Sequence, residues 1–277
     1  MARIHTTVID GLRTRYIEAG HRSRETLLLI HDGGFGASAE LCWSEVIEEL
    51  EAHFHLVAPD LLGWGGSDKV VHFGEAPYPS KIRQVARLVE TLDLDEVVSV
   101  GTSFGGSLAL RAALEPENPW RARGVVSITG AGGLYRVPEG VEAIGSFDPT
   151  IEDARRLTSW LVADADAFEE HARQRLENSL VPGHWEAMNA PRLRNPRAER
   201  PDVKDPFLDR LAELRLPVLF VEGARDRLLD QGWAKQLADL APHGEALTMD
   251  CGHAPNVELP AELAKVLAMF ADRGEDR

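Results

Sequence analysis

Two cysteines, Cys42 and Cys251, are the whole thiol complement of this 277-residue chain. They lie far apart and neither belongs to a CxxC pair, which excludes a disulfide framework and gives no sign of a zinc site. Positive charge is scarce as well: 30 Lys and Arg stand against 45 Asp and Glu, a formal charge of −15 with histidines neutral. Proteins that track nucleic-acid phosphates or an anionic membrane surface need an excess of positive charge, so neither class fits. No run approaches the roughly 18 consecutive apolar residues of a membrane-spanning helix. The opening Met1-Ala2-Arg3-Ile4-His5-Thr6-Thr7 leads into no apolar signal core. A cytoplasmic chain is expected. There is no GxxxxGK[ST] and no HExxH, and the two starts of a dinucleotide fingerprint, at Gly63 and Gly130, fail at the third glycine, where Asp68 and Tyr135 stand. His53 and His55 form an HxH pair with no acidic constellation beside it, which reads as surface rather than metal. Neither a cofactor nor a metal is expected.

What remains is an ordinary globular composition, 44% apolar and 27% charged, in a chain long enough for a sizeable core. Short Leu-, Ile- and Val-rich runs recur, each followed by a turn and a segment with helical spacing, the pattern of a parallel sheet covered by helices. Strands are expected at 26–30, 55–60, 97–100, 124–129, 217–222 and 246–250. Helices are expected at 42–52, 80–92, from the Gly105 region through Leu114, and at 261–273. The rhythm breaks between Leu134 and about Pro206. No convincing buried strand occurs there, but Thr150 with Asp153 and Asp166 with Glu169 have capping-box spacing. The expected organisation is therefore an α/β core at 1–133 and 207–277 with a helical cap at 134–206, left by a hinge. The return hinge is the proline-rich stretch from Pro191 to Pro206.

The chemistry sits at Gly101-Thr102-Ser103-Phe104-Gly105. Placed between a strand and a helix, G-x-S-x-G makes a sharp turn that strains the serine and presents its Oγ at the carboxyl edge of the sheet. A serine hydroxyl is a poor nucleophile near neutrality and needs a base, which needs an orienting acid. Asp226 and His253 each follow a predicted strand, at the edge where an open parallel sheet places its site. Ser103, Asp226 and His253 are thus the expected triad. Position singles out His253 among ten histidines. His31-Asp32-Gly33-Gly34-Phe35-Gly36 follows the first buried strand and should supply an oxyanion donor at Gly33, with the backbone N–H of Phe104 as the other. Asp32 is anomalous there, because a carboxylate opposes a developing anion; its side chain is expected to turn away and bond backbone.

These residues resemble the α/β-hydrolase superfamily over nearly the whole chain, and within it the meta-cleavage product hydrolases, which split carbon–carbon bonds in vinylogous diketo acids from aromatic degradation. The resemblance rests on His31 to Ser38, on Gly130-Ala131-Gly132-Gly133-Leu134, on Trp185-Glu186-Ala187 and on Cys251-Gly252-His253. It implies a serine hydrolase with the triad above, the oxyanion glycine at Gly33, and substrate contacts at Gly34, Thr102, His184, Trp185 and Ala254. Three of these depart from the family pattern: His184 stands for an arginine that holds the substrate carboxylate, Thr102 for asparagine and Ala254 for tryptophan. A protonated His184, or the Arg192, Arg194, Arg197 and Arg200 run, could supply the missing charge. Trp160 and Trp185, with Leu157 and Leu161, read mainly as cap-to-core packing. The alternatives are a carboxylesterase or lactonase on a small neutral ester, and a ligand-sensing receptor of the same fold. The expected partner is a small-molecule substrate and, at most, further copies of the chain.

Overall fold

The computed structural model describes residues 1–71, 77–190 and 205–273. An antiparallel hairpin opens it, β1 (Arg3–Ile9) and β2 (Leu12–Ala19), followed by β3 (Thr26–Ile30), α1 (Ala39–Leu50), β4 (His55–Pro59), α2 (Pro79–Thr91), β5 (Val97–Thr102), α3 (Phe104–Ala113) and β6 (Ala122–Ile128). Next come α4 (Pro138–Gly145), α5 (Ile151–Leu161), a 3₁₀ turn at Ala165–Phe168, α6 (Glu169–Ser179), α7 (His184–Asn189) and α8 (Phe207–Leu211). The chain then finishes with β7 (Val218–Gly223), α9 (Trp233–Leu240), β8 (Gly244–Met249), α10 (Pro255–Glu258) and α11 (Pro260–Asp272).

The strands form one eight-stranded sheet, ordered β1-β2-β4-β3-β5-β6-β7-β8 and parallel from β4 to β8. Each expected strand and helix of the core is present, with ends moved by a few residues. The hairpin is an addition. Its β1 is exposed along most of its length and so lacks an apolar run, and it closes through Asp10-Gly11 with φ of +49° and +82°, the positive-φ pair a two-residue hairpin turn needs.

Strand period decides how the core divides. Leu28, Ile30 and Val125 face the apolar layer under α2, α3 and α9, whereas Leu27, Leu29, Val98, Val100 and Val126 face the layer under α1 and α11. Helices on both faces are why β3, β5 and β7 are buried throughout. The chain leaves β3 toward β4 on one side and returns to β5 on the other, so the strand order reverses between β3 and β5. Carboxyl ends at such a switch point diverge and leave a crevice.

Between β6 and β7 the helices α4 to α7 build a small apolar cluster of their own, in which Phe147, Ala154, Leu157 and Ala172 surround Phe35 from the loop after β3. Thr150 caps α5 as expected, accepting a hydrogen bond from Asp153 N at 3.2 Å. The Asp166 cap is corrected: Asp166 lies inside the 3₁₀ turn, and α6 starts at Glu169 without a side-chain cap. The proline-rich hinge and the Arg192, Arg194, Arg197 and Arg200 run lie outside the described residues.

Candidate active site

β5 delivers Ser103 directly into the start of α3. Its φ of +54° and ψ of −113° lie where L-residues rarely sit, and its amide is held by the carbonyl of Ile128 at 2.7 Å. The flanking glycines have a steric cause. A Cβ on Gly101 would lie 2.2 Å from the carbonyl oxygen of Gly105, and one on Gly105 would lie 2.3 Å from that of Ile30. The G-x-S-x-G spelling is therefore what lets the turn pack onto β3.

The loops after β7 and β8 bring the partners. His253 Nε2 lies 2.8 Å from Ser103 Oγ, and His253 Nδ1 lies 2.7 Å from Asp226 Oδ2. A carboxylate only accepts, so Nδ1 carries the proton and Nε2 is free to receive the serine hydroxyl's. Asp226 is buried, and its other oxygen accepts from Leu228 N at 2.7 Å, which fixes the carboxylate plane. Thr129, a residue the sequence did not single out, donates its hydroxyl to the His253 carbonyl at 2.8 Å.

On the other side of the switch point, the loop after β3 lies against the start of α3: a Cβ on Gly33 would come within 2.6 Å of Phe104 Cβ. Asp32 bonds backbone as expected, with Oδ1 accepting from Gly34 N at 2.6 Å, but it stays on the wall beside Ser103 and its main partner is Arg175 from α6. Arg175 Nη2 reaches Asp32 Oδ2 at 3.1 Å, Nη1 donates to the Phe35 carbonyl at 2.9 Å, and Cys42 Sγ donates to Asp32 Oδ2 at 3.1 Å. Burial by itself would raise the Asp32 carboxyl, but the Arg175 guanidinium and these donors outweigh it and hold the group well below the usual carboxylate range.

Ser103, His253, Gly33, Gly34 and Phe104 line one cavity of about 210 Å³. Its other walls are mostly apolar: Ala131, Leu134, Val141 and Ile144 enter from β6 to α4, Leu157 and Leu161 from α5, Met188 from α7, and Leu228 and Leu229 from beside the acid. Its charged members are Asp32, Arg175 and Arg136.

Four expected substrate contacts do not line this cavity. Thr102 is buried and donates to Asn256 Oδ1 at 3.1 Å, away from the cavity. Trp185 is 52% exposed on the outside of α7, and Ala254 is the residue that begins α10. Trp160, read as cap-to-core packing and not as a substrate contact, is stacked under Arg227, with the guanidinium carbon 4.6 Å from the ring centroid. His184 is 1% exposed and sealed between two backbone segments: Gly36 N donates to Nε2 at 2.9 Å, and Nδ1 donates to the Gly63 carbonyl at 2.9 Å. One nitrogen must accept, so the ring is neutral and cannot hold an anion. The HxH pair is corrected in part, since His55 is buried between Thr26 Oγ1 and Glu18 Oε1, at 2.9 and 3.0 Å. No cluster fit to hold a metal occurs among the described residues.

His184 makes stability depend on pH. Burial pushes its imidazole down to about 4, a shift the Gly63 bond opposes and the Lys69 and Arg175 charges assist. The unfolded chain then binds the proton more tightly. Stability from this group is full above pH 6.5 and lost as the pH falls toward 4, by about 3 kcal/mol in all. His184→Gln can still accept from Gly36 and is expected to remove its share of that slope, leaving the loss from His171, which begins at the same pH and runs lower because burial pushes that imidazole down to about 3. Urea denaturation of both proteins between pH 7 and 4 checks it.

With that geometry in place, comparison with known proteins is specific. The model of the Alpha/beta hydrolase family matches residues 27–266. The chain belongs to the alpha/beta hydrolase family. A 2-hydroxy-6-oxo-2,4-heptadienoate hydrolase of Pseudomonas putida is 27% identical over 252 residues, 90% of this chain and 88% of that protein. A 2-hydroxy-6-oxononadienedioate/2-hydroxy-6-oxononatrienedioate hydrolase, also of Pseudomonas putida, is 32% identical over 254 residues, 87% of this chain and 86% of that one. Among solved structures, the 2-hydroxy-6-oxo-6-phenylhexa-2,4-dienoate hydrolase of Rhodococcus superposes with a TM-score of 0.82 at 25% identity, covering 99% of this chain and all of that one. The resemblance to meta-cleavage product hydrolases thus extends across the chain. No helix of this hydrolase, among the described residues, is long and apolar enough to cross a membrane.

Proposed function

We propose that this hydrolase cleaves a carbon–carbon bond in a small vinylogous diketo acid, using Ser103 as nucleophile, His253 as base and acid, and Asp226 to orient the imidazole. The observation that carries the reading is the relay from Ser103 Oγ through His253 to Asp226, at 2.8 and 2.7 Å, on the wall of a mostly apolar cavity. Ketonisation of the dienol first makes a carbon that can leave as a stabilised carbanion. Ser103 Oγ then attacks the distal carbonyl while His253 takes its proton. The amides of Gly33 and Phe104 receive the oxyanion. The Gly34 amide is already committed to Asp32, which leaves Gly33 as the donor from that loop. When the C–C bond breaks, the carbanion takes the proton from His253, and water, activated by the same histidine, releases the acyl group from Ser103. The helices from α4 to α7 serve as the cap that closes this cavity and keeps other water out.

One observation favours the second reading, a small neutral ester or lactone. Asp32 cancels the charge of Arg175, and His184 is neutral, so the inner cavity has no net positive charge to receive a carboxylate. The remaining cation is Arg136, exposed, with no ion-pair partner among the described residues, and fixed at its backbone by pairing with Leu229. If the substrate is the diketo acid, Arg136→Gln is expected to lower kcat/KM for a dienoate ring-fission product about tenfold, the worth of one charge-assisted contact, and to leave a short acyl ester untouched. Assaying both substrates on both proteins, by loss of the dienolate chromophore and by ester hydrolysis, decides between C–C and C–O cleavage. Turnover of the ester alone would overturn the first reading.

A further inference from the structure

The pairing of Asp32 with Arg175 has a position that packing does not explain. Asp32 adjoins Gly33 in sequence, and both line the cavity with Ser103 and Phe104. A fixed negative charge beside an oxyanion donor raises the energy of the oxyanion, more so where water is excluded. The cation that cancels it comes from 143 residues away, on a helix of the inserted segment. Arg175 is 1% exposed and does not reach solvent to share its charge.

α6 and α7 also grip the same loop through its backbone. Arg175 Nη1 holds the Phe35 carbonyl, Asn178 Nδ2 donates to the Gly36 carbonyl at 3.0 Å, and Gly36 N is taken by His184. The approach is so close that a Cβ on Gly36, whose φ is +69°, would lie 1.8 Å from the Arg175 carbonyl oxygen.

We propose that Arg175 is a positioning residue of the oxyanion site: it neutralises Asp32 and holds the Asp32–Gly36 loop, so that the inserted helix α6 is part of the catalytic apparatus as well as its cover. This rests on the reading of Ser103 as nucleophile and Gly33 as oxyanion donor. The two charges then act on the transition state with opposite sign, although each supports the fold.

The test uses p-nitrophenyl acetate with the full-length protein, and measures kcat, KM and urea stability for each variant. Arg175→Met leaves Asp32 uncompensated and is expected to lower kcat about 10- to 100-fold with KM changed by less than about threefold. Asp32→Asn, whose Oδ1 can still accept from Gly34 N, leaves the arginine uncompensated and is expected to raise kcat about three- to tenfold despite a loss of stability. The double variant should fall between them. If both single variants lower kcat in step with their stability, the pair is structural only and the proposal is overturned. Should Arg175→Met fail to fold, Asp32→Asn compared with Asp32→Asn/Arg175→Met isolates the arginine's charge, and equal kcat values overturn the proposal. Ser103→Ala run beside them separates the two levels: if it turns over ester like wild type, the hydrolase mechanism itself fails.

Discussion

Ser103→Ala is expected to lower turnover by a factor of about 10⁴ or more while leaving stability within about 1 kcal/mol of wild type. The first part follows from the relay: without Oγ, His253 Nε2 faces a methyl group, no acyl intermediate can form, and only binding and the oxyanion donors remain. The second follows from the backbone. Alanine keeps the Cβ that already tolerates φ of +54°, and the Ser103 hydroxyl's hydrogen bond is to His253, which can turn to water in the cavity. Two measurements check it together. Hydrolysis of the preferred substrate should drop into the background, and a fluorophosphonate should add once to wild type, at Ser103, and not to the variant. A variant that keeps a tenth of wild-type turnover would show that the serine is not the nucleophile.

Asp60→Ala is expected to cost about 3–5 kcal/mol of folding stability, the range for stripping one partner from a buried, hydrogen-bonded charge. Asp60 ends the β4 edge of the crevice with no exposure at all. Its carboxylate accepts from Ala39 N at 2.7 Å, Gly66 N at 2.8 Å and Arg15 Nη1 at 2.9 Å, joining the start of α1, the turn after β4 and strand β2. Alanine leaves the buried amide of Ala39 unsatisfied and turns that of the exposed Gly66 over to water. It also leaves Arg15 with only Glu40, which is mostly exposed. The effect reaches the site because that turn carries Trp64, whose Nε1 donates to the Gly34 carbonyl at 3.0 Å, and Gly63, whose carbonyl holds His184. A urea midpoint shift at unchanged slope measures the cost. A loss under 1 kcal/mol would mean that water replaces the carboxylate and that the network is ornamental.

The comparison of sequence with structure is uneven in an instructive way. Core strands at 26–30 and 97–100 were legible because burial on both faces demands continuous apolar runs, whereas β1 was not, because an exposed edge strand makes no such demand. The cap of α5 at Thr150 was legible because it is satisfied within four residues. At Asp166 the same spacing was misleading, because the chain takes a 3₁₀ turn there and begins α6 three residues later. The residues at which the resemblance implied substrate contacts, Thr102, His184, Trp185 and Ala254, lie off the wall of the cavity that holds Ser103. A matching position in sequence says nothing of which way a short helix turns its side chains, and α7 turns His184 into the gap between Gly36 and Gly63.

By itself, then, the sequence determined the parallel part of the sheet, the strand-to-helix turn at Ser103 and the order in which serine, acid and histidine follow their strands. Each of these is set by backbone geometry within a few residues: apolar period, glycine where a Cβ would clash, a loop at a strand's carboxyl end. Only the tertiary structure decided the charge of the cavity. Asp32 looked like an obstacle to an oxyanion because its partner, Arg175, is 143 residues distant, on a helix that touches the loop only after the inserted segment packs over the core. A buried charge acquires its meaning from the charge packed against it, and that neighbour is chosen by the fold.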